Sequence, residues 1–166
     1  MIDRSGSRRA LLAAAVGGLA GAAALAAPAR ASAEASGGVR RVADRAMDRF
    51  DHGWLTGDWE PFLASLTPRF SFWFPEGPWR GRHEGEAGRR AVEEWARFHG
   101  EGGNRVTGER RAVNTLGHRV LYEYESRGAS PSTAGYLNWE TIIVEVRGER
   151  LSALHEYWGN VPPTGD

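Results

Sequence analysis

The chain has 166 residues, 21 of them basic and 21 acidic, and carries no net formal charge. That length suits one ordinary domain, and the charge balance offers no basic surface for nucleic acid. All of the basic residues are arginine and cysteine is absent. Lysine Schiff bases, disulfides, thiolate nucleophiles and thiolate metal sites are therefore excluded.

Residues 1–33 differ in kind from the rest. "RSGSRRALLAAAVGGLAGAAALAAPARASA" has a basic start, an uncharged Ala/Gly/Leu stretch and a run of small residues, the pattern of an export signal. Ser7-Arg8-Arg9-Ala10-Leu11-Leu12 resembles the twin-arginine pattern, in which two arginines precede a hydrophobic pair. Two cleavage points fit: after Ala29-Arg30-Ala31 and after Ala31-Ser32-Ala33. The alternative is an uncleaved membrane anchor, against which the alanine-rich composition argues. Cleavage after Ala33 leaves 17 arginines against 20 acidic residues, a net −3, on an exported chain with no membrane anchor.

Residues 34–38 read as a polar linker. Val39, Val42, Ala43, Ala46, Met47, Phe50 and Trp54 then recur at helical spacing, and Gly53 and Gly57 close that helix. Asp58 reads as the cap of a short helix, "WEPFLASL", stopped by Thr67-Pro68. "RFSFWF" is a strand, "PEGPWRG" a turn, and Trp79 starts the return strand. A third helix covers about 86–99, with Ala91, Val92, Trp95 and Phe98 on one stripe. Strands follow over about 105–114, 118–127, 136–147 and 150–158, the last pair joined at Gly148. The expected architecture is α+β, in the order α-α-β-β-α-β-β-β-β. A cone-shaped, curved antiparallel sheet holds helices on its concave side and encloses a pocket.

Four stretches resemble the SnoaL-like branch of the nuclear transport factor 2-like superfamily, which includes polyketide cyclases. They are "GWLTGDWEPFLASLTPRF", "FPEGPWRGRHEG", "GYLNWE" and "LSALHEYWGN". The resemblance covers residues 39–160 and leaves 161–166 as a tail. It implies that conical fold and a small, largely apolar, oxygenated ligand of polyketide type. It also implies acid/base chemistry without cofactor or metal: cyclisation, isomerisation or dehydration. A non-catalytic binding module of the same fold is the alternative. The ketosteroid isomerases of this superfamily place a catalytic tyrosine where Phe50 stands and a general base where Phe74 stands. Their third catalytic group aligns with Ile142 or, one pleat away, Glu140. That machinery is thus largely missing, and Phe50 and Phe74 become apolar lining.

The residues themselves point to Glu140. In "GYLNWETIIVEVRG", alternation puts Tyr136, Asn138, Glu140, Ile142, Val144 and Val146 on one face, so an amide and a carboxylate lie among apolar neighbours. A desolvated carboxylate gains the raised pKa of a general acid or base. A slipped register or an arginine partner would make Glu140 structural instead. Asn138 could orient a substrate oxygen or satisfy backbone groups. His155 shares a face with Leu151, Ala153 and Tyr157, read as inward, so His155 could shuttle a proton; Leu154 and Trp158 complicate this, and a bulge would swap the faces. Tyr122 and Tyr124 alternate with Glu123 and Glu125 and should face inward, with Trp73, Trp79 and Trp139 lining the same space. Leu154 and Trp158, if outward, would supply an apolar patch for a homodimer.

Overall fold

A computed structural model describes residues 20–130 and 133–159. The twin-arginine stretch and the tail 161–166 lie outside the described residues. By its internal contacts the chain divides between Glu34 and Ala35, and the domain described below is the second part.

The elements follow the predicted order. Helix α1 is Ala20–Thr56, α2 is Glu60–Ala64, β1 is Leu66–Phe74, β2 is Gly81–His83 and α3 is Gly85–Glu101. Strands β3 (Arg105–Leu116), β4 (Arg119–Ser130), β5 (Thr133–Arg147) and β6 (Arg150–Gly159) complete the chain. The expected linker at 34–38 is helical, because α1 runs through it. Two adjacent glycines there cost about 1 kcal/mol each relative to alanine, too little to stop a helix propagating from both sides. The Asp58 carboxylate accepts from the amide of Glu60 at 3.2 Å and so caps the first turn of α2. Trp79 belongs to a single 3₁₀ turn, Gly77–Trp79, and the return strand starts two residues later at Gly81. Pro78 in that turn cannot donate to a ladder and delays pairing.

One curved sheet has the order β2-β1-β6-β5-β4-β3. It is mixed, not purely antiparallel, because β1 lies parallel to β6. The long connection through α3 and four strands permits this, whereas the meander β3–β6 turns through tight reversals. Gly148, at φ 61°, makes the β5–β6 turn in a conformation that side chains disfavour.

The alternation of β1 sends Phe70, Phe72 and Phe74 to the helices, and all three are buried. They meet Val42, Ala43, Ala46, Met47 and Phe50 of α1 and Ala91, Val92, Trp95 and Ala96 of α3 in one apolar core. The stripes predicted for both helices are therefore the buried ones, except that Phe98 is 53% exposed at the end of α3.

Gly88 shows how closely α3 sits on the sheet. A Cβ there would lie 2.0 Å from the carbonyl oxygen of Phe70 and 2.6 Å from that of His83. Gly-to-Ala in a helix interior ordinarily gains up to about 1 kcal/mol. Here the sign should reverse: Gly88→Ala should lose on the order of 1–3 kcal/mol in denaturant unfolding, since backbone atoms cannot yield as side chains do.

Candidate functional site

The last strand decides what the site contains. In the β5–β6 ladder Val146 faces Leu151 but Glu145 faces Ala153, so Ser152 is an extra residue, a bulge. Past it the alternation inverts. Leu154, Glu156 and Trp158 pair with Val144, Ile142 and Glu140 and share their helix-facing side. His155 and Tyr157 pair with Ile143 and Thr141 and turn to the opposite face.

Glu140 lies on the helix-facing side and is half-buried. Its Oε1 accepts a hydrogen bond from Ser126 Oγ of β4, and its Oε2 accepts a longer one, 3.4 Å, from Asn138 Nδ2. Asn138 and Ser126 are each 2% exposed and face each other across the ladder. Beside them is Glu156, 3% exposed. Its Oε1 accepts from the indole N–H of Trp158, while its Oε2 meets no donor among the described residues. Burial, and then the charge of neighbouring Glu140, raise the Glu156 pKa well above the ordinary glutamate value. Two carboxyl groups thus share a water-poor corner with no cation paired to either among the described residues.

A second polar set lies between α1 and the sheet. The Tyr122 hydroxyl donates to Asp44 at 2.8 Å and the Tyr124 hydroxyl to Asp51 at 3.2 Å. Arg110 of β3 bonds Tyr124 at 2.8 Å and Asp51 at 2.5 Å, pairs with Asp48 at 2.8 Å, and lies 5.5 Å above the Tyr122 ring. Both tyrosines face inward, and burial above all raises the pKa of each. Their hydroxyls are committed to aspartates, so they fasten the helix to the sheet. Burial likewise raises the Asp51 pKa, an effect that Arg110 opposes.

Several expected site residues face the other way. Trp139 is 44% and Tyr157 42% exposed. Trp73, on the β1 face opposite Phe72 and Phe74, stacks on Tyr157 at 6.2 Å. His155 Nε2 lies 2.9 Å from Ser71 Oγ, and burial followed by Arg82 lowers the His155 pKa. His155 and Tyr157 line a cavity of about 520 Å³ on that face with Arg69, Arg82 and Arg119. These four side chains are consequently not brought together with Glu140. Nor does the patch expected from Leu154 and Trp158 exist: Leu154 is 1% exposed and Trp158 packs against the core.

Phe50, Phe74 and Trp79 do turn toward the helices. Phe74 contacts Trp158 at 5.3 Å and Trp95 at 5.6 Å, and Phe50 stacks on Trp95 at 6.0 Å. Trp79 lies 6.2 Å from the His99 ring. This aromatic wall backs the carboxyl pair. Trp95 Nε1, buried in it, meets no acceptor among the described residues. No group of side chains among the described residues has the makings of a metal site.

Solved structures with the same arrangement identify the architecture. A protein from Anabaena variabilis, described as NTF2-like, superposes with a TM-score of 0.68 over 74% of this chain and 90% of that one, at 26% identity. The fold is NTF2-like. An LEH-like epoxide hydrolase from M. tuberculosis shares it at 18% identity and a TM-score of 0.57, over 72% of this chain and 84% of that one. So does a proposed polyketide cyclase from Xanthomonas campestris, at 20% identity and a TM-score of 0.58, over 73% and 93%. No protein-family model matches the chain, and no curated protein does.

Sequence reasoning missed Glu156, because strict alternation turns it outward. The signal available was the spacing of Leu154, Glu156 and Trp158, which makes a second alternating set two residues apart. Arg110 was missed for a similar reason: β3 also bulges, between Arg110 and Ala112, so Arg110 faces Tyr124 on the inside while Arg111 reaches Glu125 outside.

His99 closes the NTF2-like core at one end. Its ring lies 4.8 Å from Trp54 and 5.0 Å from Trp95, and its Nδ1 accepts from Asn104 Nδ2 at 2.7 Å. Burial lowers its pKa to about 4. The unfolded chain therefore binds a proton near pH 6.5 that the folded one refuses until about pH 4. Stability from neutral His99 should be fully present above pH 6.5 and drain away as pH falls toward 4. Thermal melts across that window should show the decline, and His99→Gln should flatten it.

Proposed function

We propose that this domain is a SnoaL-like enzyme acting on a small, largely apolar, oxygenated molecule, and that Glu140 moves a proton on it without a cofactor. The observation that carries the reading is the setting of Glu140. It is the half-exposed carboxylate at the edge of an aromatic wall, held by Ser126 and Asn138 and paired with no arginine among the described residues. A carboxylate fixed by donors and freed from ion pairing suits general acid/base work. Trp158, half-buried and packed on Phe74, is the ring of that wall with surface left for an apolar ligand. Cyclisation, isomerisation and dehydration all use such a group, and the reading is supported by a proposed polyketide cyclase and an LEH-like epoxide hydrolase among the proteins of similar fold.

A binding role without turnover is the second reading. The tyrosine hydroxyls favour it, because both are tied to aspartates and neither is free to polarise a substrate oxygen. Mass spectrometry of a ligand that co-purifies with the folded protein identifies the molecule for either reading. Glu140→Gln then separates them: turnover of that molecule should fall by about 10²-fold or more with binding retained. Unchanged turnover would remove Glu140 from the chemistry.

We further propose export through the twin-arginine-type signal, supported by the Arg8-Arg9 motif and the small residues before Glu34. Sequencing the N-terminus of secreted protein should start at Ser32 or Glu34. Retention of the intact chain in the cell would exclude export.

A further inference from the structure

Among the described residues, Glu156 is a buried carboxyl group on the helix-facing side that a structural account leaves unexplained. Buried carboxylates are normally paired with a cation, as Asp51 is with Arg110. Among the described residues Glu156 has no such partner. The charged group acting on it is Glu140, from the neighbouring strand; the groups around the pair are the neutral donors Ser126 of β4, Asn138 of β5 and Trp158 of β6. Tyr124 stands opposite Glu140 in the ladder, but its hydroxyl points to Asp51 and is bound by Arg110. Across the core the facing residues are the rings of Phe74 and Trp95.

The donors are unevenly divided. Ser126 and Asn138 both give hydrogen bonds to Glu140, as a carboxylate needs. Glu156 receives one, from Trp158, on Oε1. An ionised Glu156 would leave Oε2 without a donor in the interior, facing a like charge. A protonated Glu156 turns the same contact into a third hydrogen bond to Glu140. We infer that Glu140 and Glu156 hold one proton between them, carried by Glu156 when the site is empty, and that Glu156 is thereby the positioning residue for the Glu140 carboxylate.

This rests on the proposed role of Glu140 and deepens it. The pair carries one negative charge at rest. When Glu140 accepts a proton from a substrate atom, both carboxyls are neutral, a state the corner tolerates well. The proton then returns from Glu140 to a different atom of the same molecule, so the pair ends as it began and no co-reactant is consumed. A pair of this kind suits an internal proton shift.

Infrared spectroscopy of the full chain at pH 7 tests the assignment without any substrate. Wild type should show the carbonyl stretch of a protonated carboxyl group. Glu156→Gln should lose it. Glu140→Gln should keep it at a shifted frequency, because the acceptor changes from a carboxylate to an amide. A wild-type spectrum without the band, a band that survives Glu156→Gln, or one unmoved by Glu140→Gln would each overturn the inference. Stability gives a second readout: a folded chain that keeps a proton on Glu156 above the ordinary glutamate range, near pH 4.3, must lose stability as pH rises through that proton's release. The margin of wild type over Glu156→Gln should shrink as pH climbs, and a margin that grows would count against the shared proton. Failure of Glu140→Gln to slow turnover would sink the catalytic reading and leave these results standing.

Discussion

A single inserted residue, Ser152, sets the chemistry of both faces of the sheet. β-Strand side chains alternate with period two, so one extra residue exchanges the faces for everything beyond it. Without the bulge, Glu156 would meet solvent and His155 would enter the core. With it, Leu154 and Trp158 join the apolar wall and carry Glu156 in between them. The exchange is favoured by area: burying Leu154 and Trp158 is worth roughly 2–3 kcal/mol each at about 25 cal/mol per Å². Burying the carboxyl of Glu156 works against that gain, and protonation limits its cost.

The helix-facing side therefore holds two polar sets with opposite electrostatics. Asp44, Asp51, Tyr122, Tyr124 and Arg110 form a compensated network in which each charge has a partner from another element. Such networks tie layers together, and removing one member typically costs about 3–5 kcal/mol when the pair is buried. Side chains of Arg110 and Asp51 keep 22% and 30% exposure, which places this one toward the weaker end. Glu140 and Glu156 are uncompensated among the described residues, and helix-to-sheet fastening does not run through them. Natural folds keep uncompensated polar groups mainly where they serve function. That contrast, more than the presence of any single carboxylate, is what supports the proposed role of the pair.

Much of the fold was legible because it rests on local periodicity. The apolar stripes of α1 and α3 and the alternation in β5 each announce their buried face within ten or so residues. The turn at Gly148 is equally local. Trp79 and the 34–38 segment misled, because a glycine or proline signals only that regular structure is costly and not where it resumes. Parallel pairing of β1 with β6 was hidden for a different reason: it joins segments about 80 residues apart, and no pattern within either strand records its neighbour. Glu140 could be found from β5 alone. Glu156 could not, because its orientation depends on a bulge, and bulges are set by how two strands fit. The same dependence misplaced His155 and Tyr157, whereas Trp73 and Trp139 lie on the faces that alternation in β1 and β5 already turns outward, where a curved sheet also carries aromatic residues.

Geometry at the carboxyl pair is inherited from packing further off. Trp95 is wedged among Phe50, Phe72 and Phe74, and Phe74 in turn meets the Trp158 ring edge-on at 82°. That contact fixes the indole whose N–H holds Glu156, and Trp158 itself stands opposite Glu140 in the β5–β6 ladder, with Glu156 one pleat away on the same face. Each step passes orientation from rigid rings with few rotamers to a longer and more flexible side chain. Glutamates have three rotatable bonds and would otherwise wander; the sequence of contacts removes that freedom before any ligand arrives. An enzyme or a binder of this construction would owe its selectivity to the wall and its reactivity to the pair. Substitutions in the aromatic core should then reach the chemistry through Trp158, whereas substitutions on the His155 face act on a surface that shares with the pair only the backbone of β6.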